Sequence, residues 1–315
     1  MQGRAVGQSG VEISRLVLGC GNFGGIGSAP AFFGHGESRE EAFAIMDAAW
    51  ELGITAFDTA DAYGGGRSET WIGEWRRSKA PDVREQLVLA TKVFHSVEGD
   101  PSDEGLAPTR IRRALEGSLR RLGIERIDLY LTHEPDPATP LEDTLAVLQE
   151  LVGEGKVAAV GGSNVDGEIL RAADSYDVVQ NSYSLLDRDA ERDVLPLCNE
   201  RGVAFEAFSP LAGGWLTGKY RRGERPAPGS RMTQRPEPYV HLDDDRVYDG
   251  LEELARQAAA RGTSATALAL AWLLGDERVT AVVLGPRRPE HLRPAVEALE
   301  LELTPGERDN LARLF

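Results

Sequence analysis

Short apolar runs alternate with longer amphipathic segments along most of the chain. Such runs are typical of strands that are buried on both faces, whereas the segments repeat apolar residues at helical spacing. The predicted strands, eight in number, begin at Arg15, Thr55, Leu87, Ile127, Val157, Val178, Val203 and Thr280. The predicted helices span residues 39–52, 68–77, 109–122, 141–154, 189–200 and 247–260.

The alternation of strands and helices predicts an α/β fold, a parallel (β/α)8 barrel of the TIM type. Right-handed crossovers return each strand to the sheet in parallel, and closure removes the open edges of the sheet. Residues 4–6 and 11–13 flank a Gly-Gln-Ser-Gly turn and predict an N-terminal β-hairpin. After the seventh strand, residues 213–245 are rich in Gly, Pro and Arg and predict a long loop. Residues 1–315 are therefore predicted to form a single domain.

Some helix starts carry capping signals. Ser38 is followed three residues later by Glu41, which fits a capping box. Thr139 and Thr304 also precede a glutamate by three residues, and in both cases a proline occupies the intended first helical position. Helices are therefore predicted to begin directly after these three residues.

Composition narrows the class of protein. The chain has 315 residues, of which 41% are apolar, enough for a large core. A net charge of −16 and a pI near 4.9 argue against nucleic acid or an anionic membrane as partner, because phosphate contacts need a basic surface. Cys20 and Cys198 form no CxxC pair, so neither a disulfide framework nor a zinc knuckle is predicted. The longest apolar run, residues 267–274, is too short for a membrane span, and we expect a cytoplasmic protein.

Four polar side chains are predicted at one rim of the barrel. Asp58 ends the second strand, and Tyr63 follows it in a glycine-rich loop. Lys92 ends the third strand and His133 ends the fourth. The carboxyl ends of parallel strands meet at one face of a barrel, so we expect these side chains to lie together. Lysine is a rare choice here, since the chain has only four lysines against 31 arginines.

This constellation predicts proton chemistry. An ammonium beside a carboxylate and a phenol is expected to pair with Asp58 and to lower the pKa of Tyr63 toward neutrality. His133 is expected to stay neutral, because a second cation beside Lys92 is disfavoured. Each of these residues alone is more often structural than catalytic, and the prediction depends on their joint occurrence on consecutive strands.

The segments that carry these residues resemble signature segments of the aldo-keto reductase family. They are Phe57-Asp58-Thr59-Ala60-Asp61-Ala62-Tyr63-Gly64, Ala90-Thr91-Lys92, Leu131-Thr132-His133-Glu134-Pro135-Asp136, Gly162-Ser163-Asn164 and Phe208-Ser209-Pro210-Leu211. The resemblance implies a (β/α)8 barrel that reduces aldehydes and ketones with NADPH and without a metal. It further implies Tyr63 as general acid, Asp58 and Lys92 as the pair that tunes it, and His133 as the group that orients the substrate carbonyl.

The same resemblance implies a set of cofactor contacts. Ser163, Asn164 and Gln180 are expected to hold the nicotinamide carboxamide near Asp58, and Phe208 is expected to stack on the ring. The remaining expected contacts are Gly21, Asn22, Ser209, Pro210, Leu211, Gly213, Gly285, Arg287 and His291. Arg287, at the start of a predicted helix, is expected to meet the 2′-phosphate of NADPH. His291 and Ala295 depart from the family pattern, so NADH stays open as an alternative cofactor.

Other interpretations stay open at this point. The run Gly19-Cys20-Gly21-Asn22-Phe23-Gly24 matches GxGxxG, but no helix is predicted before Ser38, which argues against a Rossmann fold. A metal-dependent lyase or isomerase could use Asp58, Glu206 and His133 as ligands. A non-catalytic NADPH-binding regulatory protein, like relatives attached to channels, could keep the same fold. For a small-molecule carbonyl substrate, the candidate pocket walls are Phe23, Phe94, His95 and Trp215, each of which could equally belong to the core.

Overall fold

A computed structural model describes residues 3–315 of the chain. The strands are β1 Gly3–Ala5, β2 Glu12–Ser14, β3 Leu16–Gly19, β4 Ala56–Asp58, β5 Val88–Val93, β6 Ile127–Thr132, β7 Val157–Ser163, β8 Val178–Ser182, β9 Ala204–Phe208 and β10 Ala281–Leu284. The α-helices are α1 Arg39–Glu51, α2 Arg67–Ser78, α3 Pro81–Gln86, α4 Pro108–Leu122, α5 Leu141–Gly153, α6 Gly167–Ala172, α7 Val194–Arg201, α8 Arg231–Gln234, α9 Asp245–Ala260, α10 Ala265–Leu274, α11 Arg293–Ala298 and α12 Pro305–Ala312.

Strands β3 to β10 form a closed parallel barrel in chain order, and β10 pairs with β3 to complete the circle. The predicted (β/α)8 barrel is therefore confirmed. The predicted hairpin is also confirmed, since β1 pairs with β2 antiparallel. Its residues Val6 and Ile13 are buried in one cluster with inward-facing barrel residues such as Ala56 and Ala281. The hairpin thus closes the end of the barrel opposite the strand termini that carry Asp58.

The core has two parts, as expected when a closed sheet is surrounded by helices. Small and branched side chains fill the barrel interior, and a larger cluster fills the layer between strands and helices. Helix α10 is apolar on all sides and almost entirely buried, which explains why residues 267–274 form the longest apolar run of the chain. Among residues 3–315, no helix combines the length and the apolar character needed to span a membrane.

Most predicted helix boundaries agree with the structure within one or two residues. Capping boxes are present at Ser38 and Thr304, where the side chain accepts from the backbone N–H three residues on. The predicted cap at Thr139 is wrong, because its hydroxyl hydrogen-bonds to Asp136 and α5 begins after Pro140. The predicted helix 189–200 is divided into a 3-10 turn, Asp189–Glu191, and α7.

The predicted long loop after the seventh barrel strand extends from β9 to α9. It contains two 3-10 segments, Ala212–Thr217 and Glu237–Leu242, with the single-turn helix α8 between them. Residues 229–235 of this loop, called the strap below, cross the end of the barrel at which the strands terminate. Arg231 in the strap donates to the side-chain oxygen of Asn22, which follows β3. The loop therefore covers the end of the barrel where Asp58 and Lys92 lie.

Candidate active site

Asp58 and Lys92 form a buried ion pair at adjacent strand ends. The Lys92 Nζ atom lies 2.6 and 2.8 Å from the two carboxylate oxygens of Asp58 and 3.0 Å from the backbone oxygen of Thr59. Both side chains are almost fully excluded from solvent. Burial alone disfavours the ammonium, but the Asp58 carboxylate outweighs it, so the pKa of Lys92 is raised and the amine stays charged.

Tyr63 lies directly beside this pair. Its hydroxyl is 3.4 Å from the Nε2 atom of His133, and the centre of its ring is 5.2 Å from Lys92 Nζ. Burial raises the pKa of Tyr63 above its ordinary value, although Lys92 acts to lower it. The predicted contribution of Lys92 thus has the correct sign. The predicted net lowering is wrong, because burial of the phenol is the larger effect.

His133 is half-buried, and its ring packs edge-to-face against the ring of Tyr63. Burial lowers the pKa of His133 well below 6.5, and the neighbouring Lys92 and His95 lower it further, in agreement with the expected neutral imidazole. Its Nδ1 atom has no hydrogen-bond partner among residues 3–315. Because Nε2 faces the phenol, a tautomer with the proton on Nε2 can donate toward the space beside Tyr63.

A second buried carboxylate extends the row of polar groups. The Gln180 Nε2 atom lies 2.9 Å from Asp58 Oδ2 and 2.8 Å from Glu206 Oε2, so its amide donates to both acids. Burial, with the Asp58 charge second, raises the pKa of Glu206 to about 7.

In the described part of the chain, no three His, Cys, Asp or Glu side chains are grouped to hold a metal ion. The ligand set proposed for a metal-dependent lyase, Asp58, Glu206 and His133, is therefore not assembled.

All the residues predicted to be catalytic or to bind the cofactor line one groove with a volume of about 1240 Å³. They are Gly21, Asn22, Asp58, Tyr63, Lys92, His133, Ser163, Asn164, Gln180, Phe208, Ser209, Pro210, Leu211, Gly213, Gly285, Arg287 and His291. Ligand pockets for drug-sized molecules commonly measure roughly 300–1,000 Å³. The groove therefore has room for a ligand as large as a dinucleotide.

Backbone strain is concentrated on the same groove. Among residues 3–315, the non-glycine residues with positive φ are Asn164, Ser209 and Ala212, and all three line it. Such conformations cost of order 1–3 kcal/mol each and tend to cluster at functional sites. The Asn164 side chain also donates to the backbone oxygen of His133, which connects the end of β7 to the end of β6.

Cations that the sequence did not single out also line the groove. Burial, with Arg231 and Arg287 second and third, lowers the pKa of Lys219, and its Nζ atom has no carboxylate within 4 Å among residues 3–315. Arg231 likewise has no carboxylate partner in this part of the chain and contacts Asn22. The scarcity of lysine was the only available signal for Lys219. Arg231 lies in an aperiodic loop and gave none.

Two parts of the sequence-based prediction differ from the structure. Phe23 and Trp215 are about 1% exposed and belong to the core, and neither they nor Phe94 and His95 line the groove. Pro289–Leu292 is a 3-10 turn, so no long helix begins after Arg287 and the expected helix-dipole contribution is small.

Comparison with known proteins gives consistent findings. The sequence model described as "Aldo/keto reductase family" matches residues 15–314. An uncharacterized oxidoreductase of Bacillus subtilis is 36% identical over 95% of this chain and 91% of its own length. An NADH-specific methylglyoxal reductase of Escherichia coli is 34% identical over 96% and 94%. The structure of a glycerol dehydrogenase from Gluconobacter oxydans superposes with a TM-score of 0.84 at 27% identity, covering 99% of this chain and 94% of that one.

Proposed function

The chain belongs to the aldo/keto reductase family, and on that premise we propose that it reduces small aldehydes and ketones with NADPH and also accepts NADH. The observation that supports this proposal is the contact of the Tyr63 hydroxyl with His133 beside the buried Lys92 and Asp58 pair. An acid, a neutral donor and a fixed positive charge thereby converge on one point of the groove.

The groove residues have the chemistry that a nicotinamide dinucleotide requires. Both N–H groups of the Gln180 amide are used on Asp58 and Glu206, which leaves its carbonyl oxygen to accept from a carboxamide. Ser163 and Asn164 offer further polar groups at the adjoining strand end, and Phe208 offers a ring face. When bound, the cofactor supplies the hydride that reduces the carbonyl carbon.

The protein's own residues manage the charge that develops on the carbonyl oxygen. Tyr63 donates its hydroxyl proton to that oxygen, and His133 donates a hydrogen bond from Nε2 to the same atom. Lys92 stabilises the resulting phenolate, and Asp58 keeps the ammonium in place. In the reverse direction the phenolate accepts the proton of the alcohol.

We assign binding of the cofactor phosphates to Lys219 and Arg231, the groove cations without a carboxylate partner among residues 3–315. An acidic protein can bind an anionic cofactor only where positive charge is concentrated locally. Lys219 and Arg231 provide such a concentration, and the backbone after β9, from Ser209 to Gly213, lies along the same groove. Gly213, which lines the groove, has φ 62°, a conformation that glycine adopts without strain.

We expect a small-molecule carbonyl substrate and a cytoplasmic location, without nucleic acid or membrane as partner. The net charge of −16 argues against nucleic acid as a partner, and the two buried free cysteines are consistent with a reducing compartment. Because a similar protein is named for methylglyoxal reduction, methylglyoxal is a suitable first aldehyde to test.

The test is the oxidation of NADPH by methylglyoxal, followed by absorbance, for the native chain, Tyr63→Phe and Tyr176→Phe. Loss of the proton donor is expected to reduce kcat by about 10²–10⁴-fold in Tyr63→Phe. Tyr176 is the control, since its phenol is buried and hydrogen-bonds to Thr132, and it does not line the groove. Equal rates for native protein and Tyr63→Phe would contradict the proposal.

The same preparation separates the alternative functions. A metal-dependent lyase or isomerase loses activity in the presence of a chelator, whereas the proposed reductase is indifferent to it. A regulatory protein binds NADPH tightly but turns over no carbonyl, so binding without turnover across a panel of aldehydes would favour that alternative.

A further inference from the structure

We infer that Glu37 controls cofactor selectivity, opposing the 2′-phosphate of NADPH and accepting a hydrogen bond from the 2′-hydroxyl of NADH. The inference rests on the proposed function, since it requires a nicotinamide dinucleotide in the groove. Its starting point is Glu37 Oε2, a buried carboxylate oxygen that has no partner among residues 3–315 and belongs to a residue lining the groove.

Glu37 is held rigidly at the edge of the groove just before α1. Its backbone N–H donates to the Asn22 oxygen, and its backbone oxygen accepts from Gly24. The preceding Gly36 packs so tightly that an added Cβ would lie 1.9 Å from the Asn22 oxygen. The Glu37 side chain is about 3% exposed, and its Oε2 atom has no hydrogen-bond partner among residues 3–315.

The other carboxylate oxygen of Glu37 is committed to Arg287. The Arg287 Nε atom donates to Glu37 Oε1 at 2.7 Å, and Nη1 donates to the Gly229 oxygen at 2.6 Å and to Gln234 Oε1 at 3.1 Å. Only Nη2 keeps free donors. The sequence predicted Arg287 as the counter-charge of a 2′-phosphate, but in the fold this charge is already balanced by Glu37. Three of its five N–H donors are in use, two of them on the strap.

The chemistry of the unpartnered oxygen favours a hydroxyl over a phosphate. A buried acceptor without a donor is costly, and a ribose hydroxyl is a donor that can satisfy it. A 2′-phosphate carries about −1.5 to −2 charges at neutral pH and offers acceptor atoms in place of that donor. It therefore gains nothing from Glu37 Oε2 and is repelled by the carboxylate.

The remaining cations of the groove do not provide the same discrimination. Lys219 and Arg231 are the groups assigned to phosphates, and the pyrophosphate they would bind is common to both cofactors. The difference between NADH and NADPH is confined to the 2′ position. We place that position beside Arg287, where the sequence predicted it, and Glu37 is the carboxylate in direct contact with Arg287.

The test measures equilibrium dissociation constants for NADH and NADPH, without any carbonyl substrate, by quenching of tryptophan fluorescence. The proteins are the native chain, Glu37→Gln and Glu290→Gln, at a pH of about 8 so that acids with moderately raised pKa values are ionised. Glu290 is a matched control, because it lines the same groove but is exposed and reaches only Arg288, at 3.9 Å. In Glu37→Gln the affinity for NADPH relative to NADH is expected to rise about tenfold or more. In Glu290→Gln the ratio should change less than about twofold.

Two outcomes would overturn the inference. An unchanged ratio in Glu37→Gln would mean that the carboxylate does not sense the 2′ position. A lower ratio would mean that Glu37 orients Arg287 for the phosphate and favours NADPH. Glu37→Ala is a second variant with the same expected direction, in case the buried amide impairs folding.

The native chain provides a result that does not depend on either variant. Because Glu37 opposes the 2′-phosphate, native NADPH and NADH affinities are expected within about tenfold of each other, and an NADPH preference above about a hundredfold would overturn the inference. Failure to bind either dinucleotide would instead refute the proposed function itself. Binding of both with a constant ratio in all variants would refute only the role of Glu37.

Discussion

Replacing Asp61 by asparagine is expected to remove a large pH dependence of stability. Asp61 is 1% exposed, and neither carboxylate oxygen has a hydrogen-bond partner among residues 3–315. The nearest cation is Arg110, whose Nη2 atom is 4.0 Å from Oδ2. Burial, with the Glu69 charge second, raises the pKa of Asp61 from 3.8 to about 8, against smaller opposing contributions from Arg110 and Arg121.

The sign and size of the effect follow from proton binding. Between pH 3.8 and about 8 the folded state binds one more proton at Asp61 than the unfolded state does. The free energy of unfolding therefore falls as pH rises, by about 1.4 kcal/mol per unit, and this contribution levels off above the folded-state pKa. From pH 5 to pH 8 the loss is on the order of 4 kcal/mol, a substantial part of a typical total of about 5–15 kcal/mol.

The assay is urea unfolding of native protein, Asp61→Asn and Asp189→Asn at several pH values between about 5 and 9. Asparagine does not titrate, so the native protein should lose stability relative to Asp61→Asn as pH rises. Asp189 is 80% exposed and serves as the control, whose curve should run parallel to that of the native protein. Parallel curves for native protein and Asp61→Asn would show that Asp61 is ionised in the fold and would refute the reasoning.

Lys92 and Glu206, which are buried at the strand ends, give two more predictions. Lys92→Met leaves the Asp58 carboxylate buried without its partner, and we expect the free energy of unfolding in urea to fall by about 3–5 kcal/mol. The partly exposed control Lys156→Met should lose about 1 kcal/mol or less, and similar losses in both variants would contradict the argument. Glu206→Gln removes an acid whose pKa is raised to about 7, so as pH rises from about 4.5 through 7 the native protein should lose stability relative to Glu206→Gln. Parallel pH profiles for the two proteins would count against the assignment.

The barrel and most of the polar rim could be predicted because both depend on local patterns. Strand length and apolar runs determine which residue ends a strand, and parallel pairing then brings successive strand ends to one face. Asp58 lies opposite Ala90, and Lys92 lies two residues further along the same strand. Asp58, Lys92 and His133, at or directly after strand ends, therefore meet without any information on loop conformation, whereas Tyr63 reaches them from the loop after β4.

The partners of the predicted residues could not be obtained in this way. Arg287 pairs with Glu37, a residue 250 positions away in an irregular loop. Lys219 and Arg231 reach the groove through a loop without periodicity. Side-chain contacts between such segments depend on the path of the loop in space, for which residue spacing holds no signal.

The pKa of Tyr63 shows a second limit of sequence-based reasoning. The sequence correctly placed an ammonium beside the phenol, and the Lys92 charge does act to lower the pKa. The net direction depends on how completely the phenol is removed from water, and burial is a property of the assembled fold. A motif therefore indicates which interactions are present but does not indicate which of them is larger.

The burial of charge at the rim is best explained by chemistry rather than by stability. Asp58, Lys92, Gln180 and Glu206 are each at most 3% exposed, and removing such groups from water costs several kcal/mol per ion. Well-packed apolar residues of similar size would hold the strands together at least as well. The strained backbone of Asn164 and Ser209 lies at the same end of the barrel. Unfavourable burial and backbone strain at one rim support the proposal that the reactive centre lies there, because preorganised charge stabilises a developing oxyanion best where water is excluded.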